Sequence, residues 1–228
     1  MDQSTTNQTY VGTSHIIVLA WGIFKKEWAK IIPVFLIPIL YQCFNFYIFI
    51  NEYFSPEMEK YKISFQFDYL IDVVIGGALT IGIYATSLAI VRGSEYSWLM
   101  VFSGFKRFFR SFFAYLIYGI IVILFTFLLI IPGIIMALSC SMMFFILAED
   151  QEIDIFEALS KSRRIMFDHK WRLFRIFLFF IFLMILSLFT LGLGLLVVVP
   201  WYYLTLAAFY EEIKDPLTTT SELNTSEI

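Results

Sequence analysis

Apolar residues are gathered into six long runs separated by polar segments. The runs cover residues 31–50, 69–91, 112–131, 134–148, 173–191 and 195–210. A helix needs about 20 mainly apolar residues to cross the hydrocarbon core of a bilayer. The pattern therefore predicts an all-α, polytopic membrane helix bundle with six transmembrane helices.

Short turn sequences join two pairs of these runs. Pro132-Gly133 separates the third run from the fourth, and Gly192-Leu193-Gly194 separates the fifth from the sixth. Proline and glycine at such short connections favour a reversal of the chain. With the first two runs joined through the 51–68 loop, the sequence predicts three helical hairpins.

Basic residues lie mainly on one side of the predicted bundle. If the N-terminus is cytoplasmic, all of the 16 Lys and Arg residues except Lys60 and Lys62 fall in cytoplasmic segments. Lys and Arg are enriched in the cytoplasmic loops of membrane proteins. We therefore expect both termini to be cytoplasmic and the 51–68 loop to face the other side.

An amphipathic stretch that ends in basic and aromatic residues precedes each hairpin. The three clusters are 24–28, 105–110 and 170–175. The third stretch, residues 152–169, has the clearest periodicity and is predicted to be an interfacial helix. Its expected water-facing residues are Asp154, Glu157, Lys161, Arg164 and Asp168, and its expected apolar face carries Ile153, Phe156, Leu159, Met166 and Phe167.

The composition agrees with a membrane protein. The chain is 60% hydrophobic and 15% charged, whereas soluble domains are about 45–50% apolar and about 25% charged. We interpret residues 14–213 as a single membrane domain. Residues 1–13 and the tail 214–228 lack apolar periodicity, so we expect both to be disordered, with the tail in the cytoplasm.

Few polar residues lie in the predicted spans. Asp68 and Asp72 are one helical turn apart near the outer end of the second span, where they could bind a cation or a proton, although wetted interfacial carboxylates explain them better. Gln42 and Asn45 in the first span could line a polar path. Hydrogen bonding between packed helices is the simpler interpretation of these two residues.

Motifs of known chemistry are absent. The sequence has no H-E-x-x-H, no G-x-S-x-G and no glycine-rich phosphate loop, and its two histidines, His15 and His169, are far apart. We therefore predict no enzymatic activity, no cofactor, no metal site and no nucleic-acid partner.

Bases next to aromatic rings at a cytoplasmic helix end attract anionic lipid headgroups. We therefore interpret this pattern as a surface for membrane lipids or for a membrane protein partner. The predicted contact residues are Lys106, Arg107, Arg110, Lys161, Arg164, Lys170, Trp171 and Arg172.

Several blocks in the second half of the chain occur in an order typical of one known family. They include Pro132-Gly133-Ile134, Phe145-Ile146-Leu147-Ala148-Glu149-Asp150, Lys170-Trp171-Arg172-Leu173-Phe174 and Thr190-Leu191-Gly192-Leu193-Gly194. With Gly104-Phe105-Lys106 upstream, roughly residues 100–212 resemble the bacterial integral membrane family called domain of unknown function 975. The resemblance implies a bacterial plasma membrane setting and supplies no activity.

Three functions remain open at this stage. A non-enzymatic module that binds lipids or a partner protein fits the basic interfacial clusters. A small transporter or exporter of a hydrophobic or peptide-like substrate fits the repeated hairpins. An intramembrane enzyme fits least well.

Overall fold

A computed structural model describes residues 12–54, 62–150, 152–190 and 192–214, without the side chains at 45, 46, 48–54, 62–73, 128 and 188. These residues are helical and contain no strand, as predicted. The expected disorder of residues 1–13 and 214–228 falls mostly outside the described residues, although Thr13 begins one helix and Lys214 ends another. The helices are α1 (Thr13–Phe54), α2 (Lys62–Val91), a 3₁₀ helix (Trp98–Arg107), α3 (Phe108–Leu128), α4 (Ile130–Cys140), α5 (Met143–Glu149), α6 (Ile155–Ile165), α7 (Lys170–Leu188) and α8 (Leu195–Lys214).

Helix α1 bends at Glu27, whose backbone is not helical (φ −129°, ψ 22°). The segment before the bend buries Ile16, Ala20 and Phe24 at four-residue spacing, which places them on one helix face. Trp201 of α8 donates a hydrogen bond from Nε1 to the carbonyl of Ile17 at 3.0 Å. The first predicted interfacial stretch therefore packs into the bundle through this face.

Helices α3 and α4 pack against each other, but the chain does not turn at Pro132-Gly133 as predicted. The chain is extended only at Leu129 (φ −166°, ψ 138°), and α4 begins at Ile130. Pro132 is tolerated in the first helical turn because its missing N–H has no partner to lose there. A Cβ on Gly133 would lie 2.3 Å from Thr126 Oγ1, so glycine lets the two helices approach closely.

The turn between α7 and α8 lies where the sequence predicted it. Gly192 has φ +82°, a conformation that glycine adopts without strain. The amide of Gly194 donates to Thr190 Oγ1 at 3.0 Å, and a Cβ on Gly194 would lie 2.6 Å from Ser187 Oγ. Glycine is therefore needed at residue 192 for its backbone conformation and at residue 194 for close packing.

A stripe of small residues on α2 receives the 3₁₀ helix and the start of α3. A Cβ on Gly82 would lie 1.7 Å from the carbonyl oxygen of Val101, and one on Gly104 would lie 2.1 Å from that of Ala78. Val101 is 1% exposed. The second predicted interfacial stretch is therefore packed along α2 through Val101 and Gly104, because small residues allow the backbones to approach closely.

Helix α8 is buried over its second half. Leu204, Leu206, Phe209 and Tyr210 all contribute to the core. The ring of Tyr210 stacks on Phe145 of α5 at 5.0 Å between centroids. A helix that is apolar all round is surrounded by other elements, so α8 lies in the interior of the bundle.

Four helical stretches are long and apolar enough to cross a membrane: Thr13–Phe44, Val74–Val91, Trp98–Phe127 and Ile130–Glu149. Large apolar side chains on these stretches are exposed, including Phe127 (92%) and Ile131 (72%). Exposed apolar surface of this extent is typical of a membrane protein. Helices α7 and α8, which contain the fifth and sixth predicted spans, are not among the four, and each has charged residues in a terminal turn, such as Arg172 and Glu212.

Candidate membrane interface

An ionic cluster joins the C-terminal ends of α2, α5 and α8. Arg92 forms ion pairs with Glu149 and, at 2.8 Å, with Glu211. Lys214 lies 2.7 Å from Glu149 and 3.0 Å from Glu211. Tyr210 donates its hydroxyl to Glu149 at 2.6 Å. These contacts bring three helix ends to one end of the bundle.

Electrostatics keeps Arg92 charged in this cluster. Partial burial favours the neutral form, but the hydrogen bonds to Glu211 and Glu149 outweigh it and raise the pKa of Arg92 above its usual value. The cluster was not predicted, because its partners are 57 and 119 residues apart in sequence.

Arg172, a predicted lipid contact, is paired inside the protein. Its Nη2 donates to Glu212 Oε1 at 2.7 Å, and the two side chains are only 12% and 10% exposed. The guanidinium also lies 5.5 Å from the ring of Phe209. Arg172 therefore connects the first turn of α7 to the last turn of α8.

The predicted contacts around residue 107 are also partly used within the protein. Arg107 pairs with Glu152 at 2.6 Å, and both side chains are well exposed. Arg110 donates to the carbonyl oxygens of Ile153 and Asp150. Lys106 is exposed. The arginines therefore attach the start of α3 to the segment before α6, which places them at the same end as the ionic cluster.

Helix α6 is shorter than the predicted interfacial helix. It begins after Asp154, whose carboxylate accepts the amide hydrogen of Phe156 at 2.9 Å as an N-cap. Its buried face carries Ala158 and Ser162, and the Ser162 hydroxyl donates to the Ser139 carbonyl at 2.8 Å. The helix is thereby fixed to α4.

The predicted apolar face of this stretch is divided between the core and the surface. Phe156 and Phe167 are 63% and 73% exposed, whereas Met166 is buried. Ala158 and Ser162, small enough for close packing, define the inner face of α6, and Phe156 is rotated away from it at 100° per residue. The hydrophobicity pattern groups these residues on one face, but it does not distinguish a surface that packs in the bundle from one that is exposed.

We use the name basic-aromatic patch for five residues between the start of α6 and the first turn of α7: Phe156, Arg163, Phe167, Lys170 and Trp171. Trp171 is 75% exposed, Arg163 is exposed, and Lys170 Nζ lies 5.6 Å from the centroid of Phe167. Of the predicted contacts, Lys170 and Trp171 belong to the patch, Arg164 is exposed beside Arg163, and Lys161 is half-buried.

The predicted polar residues of the spans are only partly described. Gln42 lines a cavity of about 480 Å³ between α1, α2 and α8. The hydroxyl-bearing residues Tyr115, Tyr202 and Tyr203 also line it. The side chains of Asn45, Asp68 and Asp72 lie outside the described residues.

His169 precedes α7 and is 7% exposed. Burial, together with the positive charge of Arg172, lowers the pKa of His169, and the charge of Asp168 opposes this effect. No group of three potential ligands for a metal ion occurs within the described ranges.

The family described as Protein of unknown function (DUF975) matches residues 122–216. This part of the chain is similar to that family. The DUF975 region contains the α4–α5 segment, the basic-aromatic patch and helices α7 and α8, and it confirms the resemblance seen in the sequence. Gly104-Phe105-Lys106 lies outside the matched range. No curated protein and no solved structure matches the chain.

Proposed function

We propose that the chain is a six-span plasma-membrane protein with cytoplasmic termini, and that it is a non-enzymatic module that binds anionic lipid through the basic-aromatic patch. The observation that carries the binding role is the exposure of Phe156, Phe167 and Trp171 in the same segment as Arg163 and Lys170, with Lys170 over the ring of Phe167. In water, such exposed rings would be unfavourable. At a membrane surface, the rings lie among the headgroups while the bases contact anionic lipids.

The gathering of basic residues at one end of the bundle supports the orientation. Arg92, Arg107, Arg110, Arg172 and Lys214 all bind partners on or beside α5, α6 and α8. These five residues were assigned to the cytoplasmic side by the positive-inside rule. Their location at one end of the bundle supports that assignment.

The lipid-binding role can be tested by charge reversal at Arg163 of the patch and at the neighbouring Arg164. The double variant Arg163→Glu/Arg164→Glu should lose anionic phospholipid relative to neutral phospholipid when purified in mild detergent. Each base near an anionic surface contributes about 1 kcal/mol, so the ratio should fall by about tenfold or more. Lys60→Glu/Lys62→Glu changes the same charge on the predicted outer side and should leave the ratio unchanged.

Two outcomes would contradict this role. An unchanged lipid ratio in the patch variant, at normal abundance, would exclude lipid binding there. Loss of a co-purifying protein without a change in lipid would assign the patch to a protein partner instead. Lys170 and Arg172 stay in the variant to preserve insertion.

The second candidate is a small transporter of a hydrophobic or peptide-like substrate. The cavity lined by Gln42, Tyr202 and Tyr203 favours it, because uncharged polar groups in an apolar wall suit a neutral substrate. If transport is coupled to ions, Asp68→Asn/Asp72→Asn should abolish it at normal abundance. Retained uptake of a labelled neutral peptide in proteoliposomes would exclude coupling through these two carboxylates.

A further inference from the structure

A second candidate lipid site lies between the bend of α1 and the loop after α2. The bend at Glu27 opens a groove of about 830 Å³, which we call the kink groove. Its apolar wall includes Pro33, Val34 and Ile90, and Trp98 lies at its rim, 56% exposed. Sites of about 300–1,000 Å³ are typical of bound small molecules.

The loop that forms one side of the groove is fixed by the end of α2. Gly93 adopts φ +66°, and the amide of Ser94 donates to the Ala89 carbonyl at 2.9 Å. This is a glycine-terminated helix end of the Schellman type. Tyr96 then donates its hydroxyl to Glu27 Oε2 at 2.8 Å, which ties the loop to the bend of α1. Both sides of the groove are therefore held in place.

Four charged side chains line the kink groove: Lys26, Glu27, Lys30 and Glu95. Glu27 accepts the hydrogen bond of Tyr96, and partial burial together with this contact raises the pKa of Tyr96, which stays protonated. In the described part of the chain, Lys26, Lys30 and Glu95 form no ion pair within 4.0 Å. The groove thus offers two ammonium groups and one carboxylate to a ligand.

We propose that the kink groove binds a phospholipid whose headgroup carries both a phosphate and a primary ammonium. Lys26 and Lys30 would contact the phosphate, Glu95 would contact the ammonium, and the wall of Pro33 and Ile90 would receive the first part of an acyl chain. Counting Glu27, the groove carries two basic and two acidic side chains, and such a balanced set suits a zwitterion better than an anion. The proposal rests on the membrane setting proposed above, but it concerns different residues from those of the basic-aromatic patch.

The test uses the full-length protein in detergent and native mass spectrometry. Phosphatidylethanolamine, phosphatidylglycerol and phosphatidylcholine with identical acyl chains are added separately. The wild type should retain phosphatidylethanolamine over the other two by about fivefold, the upper end for one exposed ion pair. Glu95→Gln should remove the preference, and Lys26→Ala/Lys30→Ala should weaken retention of all three by about tenfold.

Two variants serve as matched controls. Lys25→Ala removes a neighbouring base that lies over Trp21 and not in the groove. Glu157→Gln neutralises an exposed carboxylate on α6. Both should retain the wild-type preference, and so should Arg163→Glu/Arg164→Glu.

Three results would overturn the proposal. They are equal retention of the three lipids by the wild type, an unchanged preference in Glu95→Gln, and displacement of phosphatidylethanolamine by millimolar inorganic phosphate, which would make this a site for free phosphate. None of them bears on the basic-aromatic patch, because lipid binding there is tested separately by the phospholipid ratio of the Arg163→Glu/Arg164→Glu variant.

Discussion

Arg172 and Glu212 form an ion pair at 2.7 Å that joins the first turn of α7 to the last turn of α8. Both side chains are nearly withdrawn from solvent, and Glu212 Oε2 is buried without a hydrogen-bond partner among the described residues. A buried charge is costly unless it is paired. Each residue of this pair therefore depends on the other.

Removing one partner should destabilise the fold. Arg172→Met should lower the free energy of unfolding by about 3–5 kcal/mol, because Glu212 is left as an uncompensated buried charge. The double variant Arg172→Met/Glu212→Leu should recover most of the loss. Unfolding monitored by circular dichroism in detergent measures both.

The matched control for this pair is Arg107→Met. Its ion pair with Glu152 is exposed, so its loss should cost about 0–1 kcal/mol. Equal losses in Arg172→Met and Arg107→Met would show that burial does not determine the strength of the first pair.

Close packing of the 3₁₀ helix on α2 gives a second prediction. Gly82→Ala should lower the free energy of unfolding by about 1–3 kcal/mol, because the new Cβ meets the carbonyl oxygen of Val101 and the backbones must separate. Gly119→Ala is the control, since a Cβ there has nothing within 4 Å. A Gly82→Ala protein as stable as the control would contradict this packing.

Much of the helical order could be predicted from the sequence, because each apolar run lies mainly within described helices. The α7–α8 turn was predictable since Gly192 needs positive φ. The α3–α4 turn was misplaced because Pro132 is equally acceptable in the first turn of a helix. Pairings such as Arg92 with Glu211 join residues that are far apart in sequence, and no local pattern reports them.

The faces of the amphipathic stretches were harder to predict than their positions. Phe156 belongs to the apolar face predicted from hydrophobicity, yet it is exposed, and the small residues Ala158 and Ser162 form the inner face. In a membrane protein a large apolar side chain can face lipid as well as the core. Hydrophobicity alone therefore does not distinguish the two surfaces, but small-residue spacing does, as the Gly82 stripe on α2 shows.

The orientation of the chain gives a third prediction. In a background of Cys43→Ser and Cys140→Ala, Glu57→Cys should react with an impermeant thiol reagent added to intact cells, and Lys161→Cys should react only after lysis. The reason is the positive-inside distribution of Lys and Arg. Reaction of Lys161→Cys in intact cells would overturn the proposed topology.

The last prediction concerns pH and His169. Burial and Arg172 lower the pKa of this imidazole in the folded protein, so the unfolded chain binds a proton more readily than the folded one as the pH falls through about 6.5. Stability should therefore be fully present above that pH and decrease as the pH falls below it towards the lowered pKa, because protonation favours the unfolded chain. His169→Asn should remove this slope, whereas His15→Asn should keep it. Unfolding midpoints measured across this range provide the check, and a wild type whose midpoint rises on acidification would contradict the assignment of a neutral, buried His169.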